Sequence, residues 1–243
     1  MHRFFVESAA VSGQDIVLCG ENAAHMERVL RLRQGEMFVA CDGQGRDYVC
    51  RLVRFADKQA FGEVVREEEN VAEPPMPIVL FQGLPKADKM ELIIQKAVEL
   101  GVTRIVPVAM ERCVVRLTGK EAAKAERWQK IAEAAAKQSG RGRIPVVMMP
   151  VTLAQSIAEA EALGVCVAAY EDEETRMLKD VVDIGGPEAG FGVYIGPEGG
   201  FEKEEIDMLA AAGVGSVSLG KRILRTETAG LAVLAAVGCV WGI

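Results

Sequence analysis

Two glycine-bearing loops between Phe191 and Ala229 constrain this chain more than any other feature. Gly196-Pro197-Glu198-Gly199-Gly200 follows the apolar run Phe191-Gly192-Val193-Tyr194-Ile195. Leu219-Gly220-Lys221-Arg222-Ile223-Leu224-Arg225-Thr226-Glu227-Thr228-Ala229 follows Val214 to Ser218. Each apolar run is short, partly β-branched and bounded by glycine, which reads as a buried strand. Glu202 to Ala212 lies between them, with acids in its first turn and Gly213 after its end, so it reads as a helix. Both loops therefore leave successive strands of one β-α-β unit. In an open parallel sheet, the loops at the carboxyl ends of the strands are where ligands bind.

Glycines around Pro197 and Glu198 let the backbone turn sharply and leave its N–H and C=O groups bare for a ligand. A phosphate cradle does not fit. The chain has neither GxxxxGK[ST] nor GxGxxG here, and the Glu198 carboxylate repels phosphate. A flat, uncharged group such as adenine, read by backbone groups, suits the loop better; a plain strand-to-helix turn with an acid near the helix start is the alternative. In the second loop, Lys221, Arg222 and Arg225 are polar spikes in an otherwise apolar end of the chain. Thr226-Glu227-Thr228 after them are good helix-starting residues.

Taken together, the two loops resemble the signature of the SPOUT methyltransferases, and within them the 16S ribosomal RNA uracil-N3 methyltransferase family. The resemblance rests on Gln82-Gly83-Leu84-Pro85-Lys86 with Lys89 to Gly101, on Ile195 to Phe201, and on Leu219 to Ala229. It also touches Arg28-Val29-Leu30-Arg31, so it spans nearly the whole chain. It implies an N-terminal PUA-like β-barrel followed by a SPOUT-type α/β domain with a C-terminal trefoil knot. It further implies S-adenosylmethionine (SAM) as cofactor, bound by Ala169 and Tyr170 at the end of one strand, by Gly196, Pro197, Glu198, Gly199 and Gly200, and by Leu219, Gly220, Ile223, Leu224, Thr226, Glu227, Thr228 and Ala229. The implied partners are 16S rRNA of the small ribosomal subunit and a second copy of the chain. Periodicity alone reveals no knot, because knots are rare enough to be excluded by default.

The 243 residues suit one large or two modest domains. The N-terminus meets Glu7 before any apolar segment forms, and the longest uncharged run, Thr228 to Ile243, falls short of the roughly 20 residues that cross a bilayer. A cytoplasmic protein without a membrane partner is expected. Cysteines without CxxC spacing and only two histidines, His2 and His25, give no basis for a metal site or a Ser-His-Asp triad. The net charge of −7 argues against broad affinity for nucleic acid. Discrete basic spots remain at Arg28, Arg31 and Arg33 and at Lys137, Arg141 and Arg143. With Lys86, the arginines of these spots are the candidate RNA contacts, the pattern of a protein that docks on one RNA site.

Along the chain, Arg3 to Val6, Asp15 to Leu18, Met37 to Cys41, Tyr48 to Phe55 and Ala60 to Val65 read as strands, with a hairpin turn at Asp42-Gly43-Gln44-Gly45. A helix over Ala23 to Leu32, capped by Asn22, places Arg28 and Arg31 at i, i+3 on one face. Acids and prolines from Glu67 to Pro77 read as a linker, dividing a domain over 1–70 from one over 78–243. Strands at Ile78 to Phe81, Arg104 to Val108, Val146 to Met149 and Val165 to Tyr170 then alternate with helices. These helices include a run from Met90 opened by Asp88 and Glu91, Lys120 to Ser139 with Trp128 in its core stripe, and one from Thr152.

The catalytic candidate is Arg225. N3 of uracil becomes a nucleophile only when its proton leaves, and with histidine almost absent an arginine is the fixed donor for the resulting anion. Glu198 serves either the sulfonium of SAM or its own helix N-terminus. Two other readings stand beside this one: a catalytically silent RNA-binding or assembly factor on the same fold, and a Rossmann-type nucleotide enzyme. The lack of GxGxxG after Ile78 to Phe81 counts against the latter.

Overall fold

The protein is described by a computed structural model, covering residues 1–117, 119, 121–182 and 188–242. Lys120 and Ile243, the expected ends of two apolar segments, lie outside the described residues. The chain forms two compact units, Met1–Glu73 with Ala136–Ile144, and Pro74–Ala135 with Pro145–Ile243. The return of residues 136–144 to the first unit has no counterpart in a division at 1–70 and 78–243.

In the first unit, strands β1 (His2–Phe5), β2 (Val11–Ser12), β3 (Asp15–Leu18), β4 (Met37–Cys41), β5 (Arg46–Ala56) and β6 (Gln59–Glu69) form one sheet in the order β1-β4-β5-β6-β3-β2. Only β1 and β4 run parallel. Phe4, Ile16, Leu18, Met26, Phe38 and Leu52 are buried in its core. The acidic run expected to open the linker is instead the end of β6, because Glu67 and Glu68 stand in register with Tyr48 and Asp47. The expected helix over Ala23 to Leu32 is also replaced. A short α1 (Gly20–Ala24) follows Cys19 and passes into a single π turn, His25–Val29. Asn22 does not cap it, since its Nδ2 donates to the Phe5 carbonyl at 2.8 Å. Arg28 lies in the π turn and Arg31 beyond it at φ 53°, so they share no α-helical face.

The second unit is built on a parallel sheet of β7 (Ile78–Gly83), β8 (Arg104–Ala109), β9 (Val146–Val147), β10 (Val151–Thr152), β11 (Val165–Ala169), β12 (Phe191–Ile195) and β13 (Gly215–Val217). The order is β10-β8-β7-β12-β11-β13, with β9 also on β8. Helices α2 (Lys89–Glu99), α3 (Glu121–Ser139), α4 (Leu153–Ala160), α5 (Lys179–Val182), α6 (Lys203–Ala211) and α7 (Thr226–Trp241) alternate with the strands. Every residue of β7 and β12 is buried, as central parallel strands require. The Phe81 and Tyr194 rings stack across these two strands at 4.2 Å. Thr152 and Gln155 form a capping box on α4, and Glu202 and Glu205 form one on α6. Asp88 makes no capping bond to α2, and Glu91 pairs instead with Arg127 at 2.6 Å.

One feature of the strand order positions the site. The strands that precede the two glycine loops, β12 and β13, are successive in the chain but not neighbours, because β11 lies between them. Ala169 is in register with both Ile195 and Val217, so three chain segments leave the same edge of the sheet side by side. Helix α7 then returns to β7 and β12, where Trp241 meets Phe191 edge-on at 5.3 Å and donates to the Val182 carbonyl at 2.9 Å. Thr228, Ala232, Ala235, Cys239 and Val240 remain exposed on it. Among the described residues no helix is long and apolar enough to cross a membrane. The six cysteines are free. Burial pushes the thiols of Cys41 and Cys50 up to about 11.

Candidate active site

The three segments enclose a cavity of about 830 Å³ at the carboxyl edge of the second unit's sheet. Its wall takes in Ala169 and Tyr170 after β11, Gly196, Pro197, Glu198 and Gly200 after β12, and Leu219, Gly220, Ile223, Leu224, Arg225, Thr226 and Ala229 after β13. Of the residues expected to bind a cofactor, Gly199, Glu227 and Thr228 do not line it. Lys89, Glu171, Glu173, Glu174, Met177, Ile195, Ser218, Lys221 and Arg222 line it as well. One side is therefore acidic and another basic.

Glycines in the first loop and on β7 beside it serve close packing more than bare backbone. A Cβ on Gly83 would stand 2.6 Å from Pro197 N, and one on Gly200, at φ 72°, would meet the Glu171 carboxylate. Two of the loop's carbonyls are already taken. Gly196 O accepts from Thr226 Oγ1 at 2.7 Å, and Gly199 O accepts from Arg112 Nη1 at 2.8 Å. Arg112 also grips the Glu202 carboxylate through Nε at 2.8 Å and Nη2 at 3.0 Å, fixing the loop to the start of α6. Gln82 Nε2 donates to Thr226 Oγ1 at 2.8 Å, so a buried chain of hydrogen bonds links β7, the first loop and the start of α7.

Glu198 does not cap the helix that follows it, since Glu202 caps α6. Its carboxylate accepts from the Lys86 N–H at 3.1 Å and pairs with Lys89 Nζ at 3.0 Å. Lys89 Nζ also lies 3.1 Å from Glu227 Oε2, an ion-pair distance without hydrogen-bond alignment. The two carboxylates hold the Lys89 ammonium above its ordinary value, Glu198 first. Burial pulls Glu198 up, but its own N–H, Lys89 and the Lys86 N–H hold it below the usual carboxylate range. Arg225 occupies the N-cap position of α7, exposed on the cavity wall, and its guanidinium makes no hydrogen bond or ion pair with the described residues.

Of the expected RNA contacts, Arg28, Arg31 and Arg33 are exposed, and their guanidinium groups have no acidic partner among the described residues. Arg143 is exposed, with Nη2 on the Gln44 carbonyl at 3.2 Å, and Lys86 is exposed in the second unit. Arg141 is a correction. It is 3% exposed and its guanidinium grips Glu73 at 2.9 and 2.8 Å, so its charge is neutralised inside the first unit. Lys89 and Arg112 were not singled out as site residues from sequence. Lys89 carried one usable signal, a cation in the first turn of a helix, where the dipole disfavours it unless anions come from elsewhere. Arg112 carried none.

This is an α/β protein with a cavity at the carboxyl edge of a parallel sheet, built by chain segments from three strands and of a size to take a small ligand. Among the described residues no group of side chains could hold a metal ion. The chain belongs to the RNA methyltransferase family, whose RNA methyltransferase domain matches residues 72–238 and whose PUA domain matches residues 18–65. It is 33% identical over 245 residues to ribosomal RNA small subunit methyltransferase E of Bacillus subtilis, covering 98% of this chain and 96% of the relative. To the protein of that name in Mycobacterium bovis it is 34% identical, covering 97% and 90%. The crystal structure of a ribosomal RNA small subunit methyltransferase E from Neisseria gonorrhoeae bound to S-adenosyl methionine superposes with a TM-score of 0.86, at 34% identity, covering 99% of this chain and 98% of that one.

Proposed function

We propose that this protein transfers a methyl group from SAM to N3 of a uridine in 16S rRNA of the small ribosomal subunit, in the cytoplasm. The observation that carries the reading is the cavity itself, where segments after β11, β12 and β13 converge in register. Its volume is that of ordinary cofactor sites. Ile195, Leu219, Leu224 and Ala229 offer apolar surface to an adenine, and the Glu171–Glu174 side offers carboxylates to a cationic ligand. SAM supplies an electrophilic methyl on a sulfonium, leaving as S-adenosylhomocysteine. The chain's own task is the other reactant. Uracil must give up its N3 proton, and the resulting negative charge spreads onto its two carbonyl oxygens. Arg225 receives that charge as a fixed donor; the support is that it lines the cavity with no ion-pair partner among the described residues.

The PUA-like unit, folded as a β-barrel over 1–70, docks the RNA through Arg28, Arg31 and Arg33, with Arg143 and Lys86 contributing. The α/β domain over 78–243 is threaded as a C-terminal trefoil knot. Support for the threading is that Thr226 is bonded to both Gln82 and Gly196 while α7 lies back on β7 and β12. The apolar face Ala232, Ala235, Cys239 and Val240 of α7 is covered by a second copy of the chain. A monomer by light scattering at micromolar concentration, with activity intact, removes the dimer.

Calorimetry with SAM, in competition with S-adenosylhomocysteine, tests the cofactor. Tritiated SAM with small subunits lacking the modification, followed by mapping of the label, tests the reaction. Binding of SAM and label on a uridine N3 are expected. Absence of SAM binding puts a catalytically silent RNA-binding factor in its place, and label on another base overturns the uracil assignment.

A further inference from the structure

Among the described residues, Lys89 is the cation that pairs with a carboxylate from each of the two glycine-bearing segments. It starts α2, outside both glycine-bearing loops, and its Nζ lies 3.0 Å from Glu198 of the first loop and 3.1 Å from Glu227 after the second. Glu198 and Glu227 are each carried by a separate segment, and both side chains are largely shielded, at 25% and 19% exposure.

 Removing the ammonium would leave two like charges facing each other across the meeting point of the loops, with no other side-chain cation within ion-pair distance of either among the described residues.

We propose that Lys89 is the positioning residue that ties the two cofactor-binding segments together, setting the spacing of the cavity walls before the ligand arrives. This deepens the cofactor reading above and rests on it. The groups facing the pair are few. Glu198 meets Lys89 and the Lys86 N–H, with Cys113 in electrostatic reach, and Glu227 meets Lys89 and feels Arg225. In the native protein both carboxylates are held below their ordinary range, by their own backbone N–H groups first and then by Lys89. Without it, mutual repulsion raises one of them toward neutrality, the behaviour of any close carboxylate pair.

S-adenosylhomocysteine is the suitable probe, because it lacks the sulfonium that two bare carboxylates would attract and so reports the spacing of the walls. Its Kd is measured calorimetrically for the wild type, Lys89→Met, Lys89→Arg and Lys89→Met/Glu227→Gln at pH 8 and pH 6, each variant relative to wild type at the same pH so that titration of the ligand cancels. Lys89→Met is expected to bind about tenfold more weakly at pH 8. The deficit should shrink severalfold at pH 6 and on adding Glu227→Gln, and Lys89→Arg should stay within about threefold of wild type. Unchanged affinity in Lys89→Met overturns the tie. So does a deficit that neither acid nor Glu227→Gln relieves, which would mark Lys89 as ordinary packing. Wild-type protein that binds no S-adenosylhomocysteine at either pH overturns the cofactor reading itself, a result distinct from both.

Discussion

Replacing Thr226 by valine tests the hydrogen-bonded link beneath the cavity. The hydroxyl donates to Gly196 O at 2.7 Å and accepts from Gln82 Nε2 at 2.8 Å, with Thr226 5% and Gln82 0% exposed. Valine keeps the shape and removes both bonds. Gln82 Nε2 retains only the Gly83 carbonyl at 3.0 Å, and its Oε1 has no partner to begin with. Each buried polar group that loses its partner costs about 1–3 kcal/mol, so the substitution should cost roughly 2–4 kcal/mol. For a chain of this size that lowers the midpoint of thermal unfolding by roughly 4–16 °C. Urea and thermal unfolding followed by circular dichroism measure it, with Thr226→Ser as the control that keeps the hydroxyl. A loss below about 0.5 kcal/mol, or an equal loss in Thr226→Ser, refutes the reasoning.

Arg225→Ala should keep its fold and its SAM affinity while losing about 10²–10³ in kcat; normal turnover, or a defect confined to SAM binding, rules out the donor role. Arg31→Ala should flatten the log–log salt dependence of RNA binding by about 0.9, and an unchanged slope with unchanged affinity assigns Arg31 to structure. Burial pulls the Glu73 carboxyl up, but Arg141 and the Gly142 and Arg143 N–H groups hold it below its ordinary value of 4.5. Its stabilisation of the first unit is therefore fully present above that value and lost as pH falls through the lower, folded value. Glu73→Gln should cost on the order of 3 kcal/mol at pH 7 and progressively less on acidification, which a pH series of urea titrations reads directly.

The sequence by itself determined most elements of the α/β unit and pointed to the loops after β12 and β13 as the place for a site. β12 matches its expected span, Phe191 to Ile195, because a glycine-bounded apolar run has no alternative to burial. The loops after it were legible because Gly200 and Gly220, at φ 72° and 105°, occupy backbone conformations that other residues rarely adopt. What the tertiary structure alone decided is which distant groups meet. β11 enters between β12 and β13, an ordering no local pattern encodes. Arg141 reads as a surface cation until Glu73, 68 positions away, pairs with it inside the first unit. Glu67 to Glu69 read as linker until β5 supplies their strand partners. Lys89 reads as a solvated helix start until Glu198 and Glu227 converge on it. Period and turn chemistry act over a few residues and leave their mark in sequence; charge neutralisation and strand neighbours act through space, and only the folded chain brings those partners together.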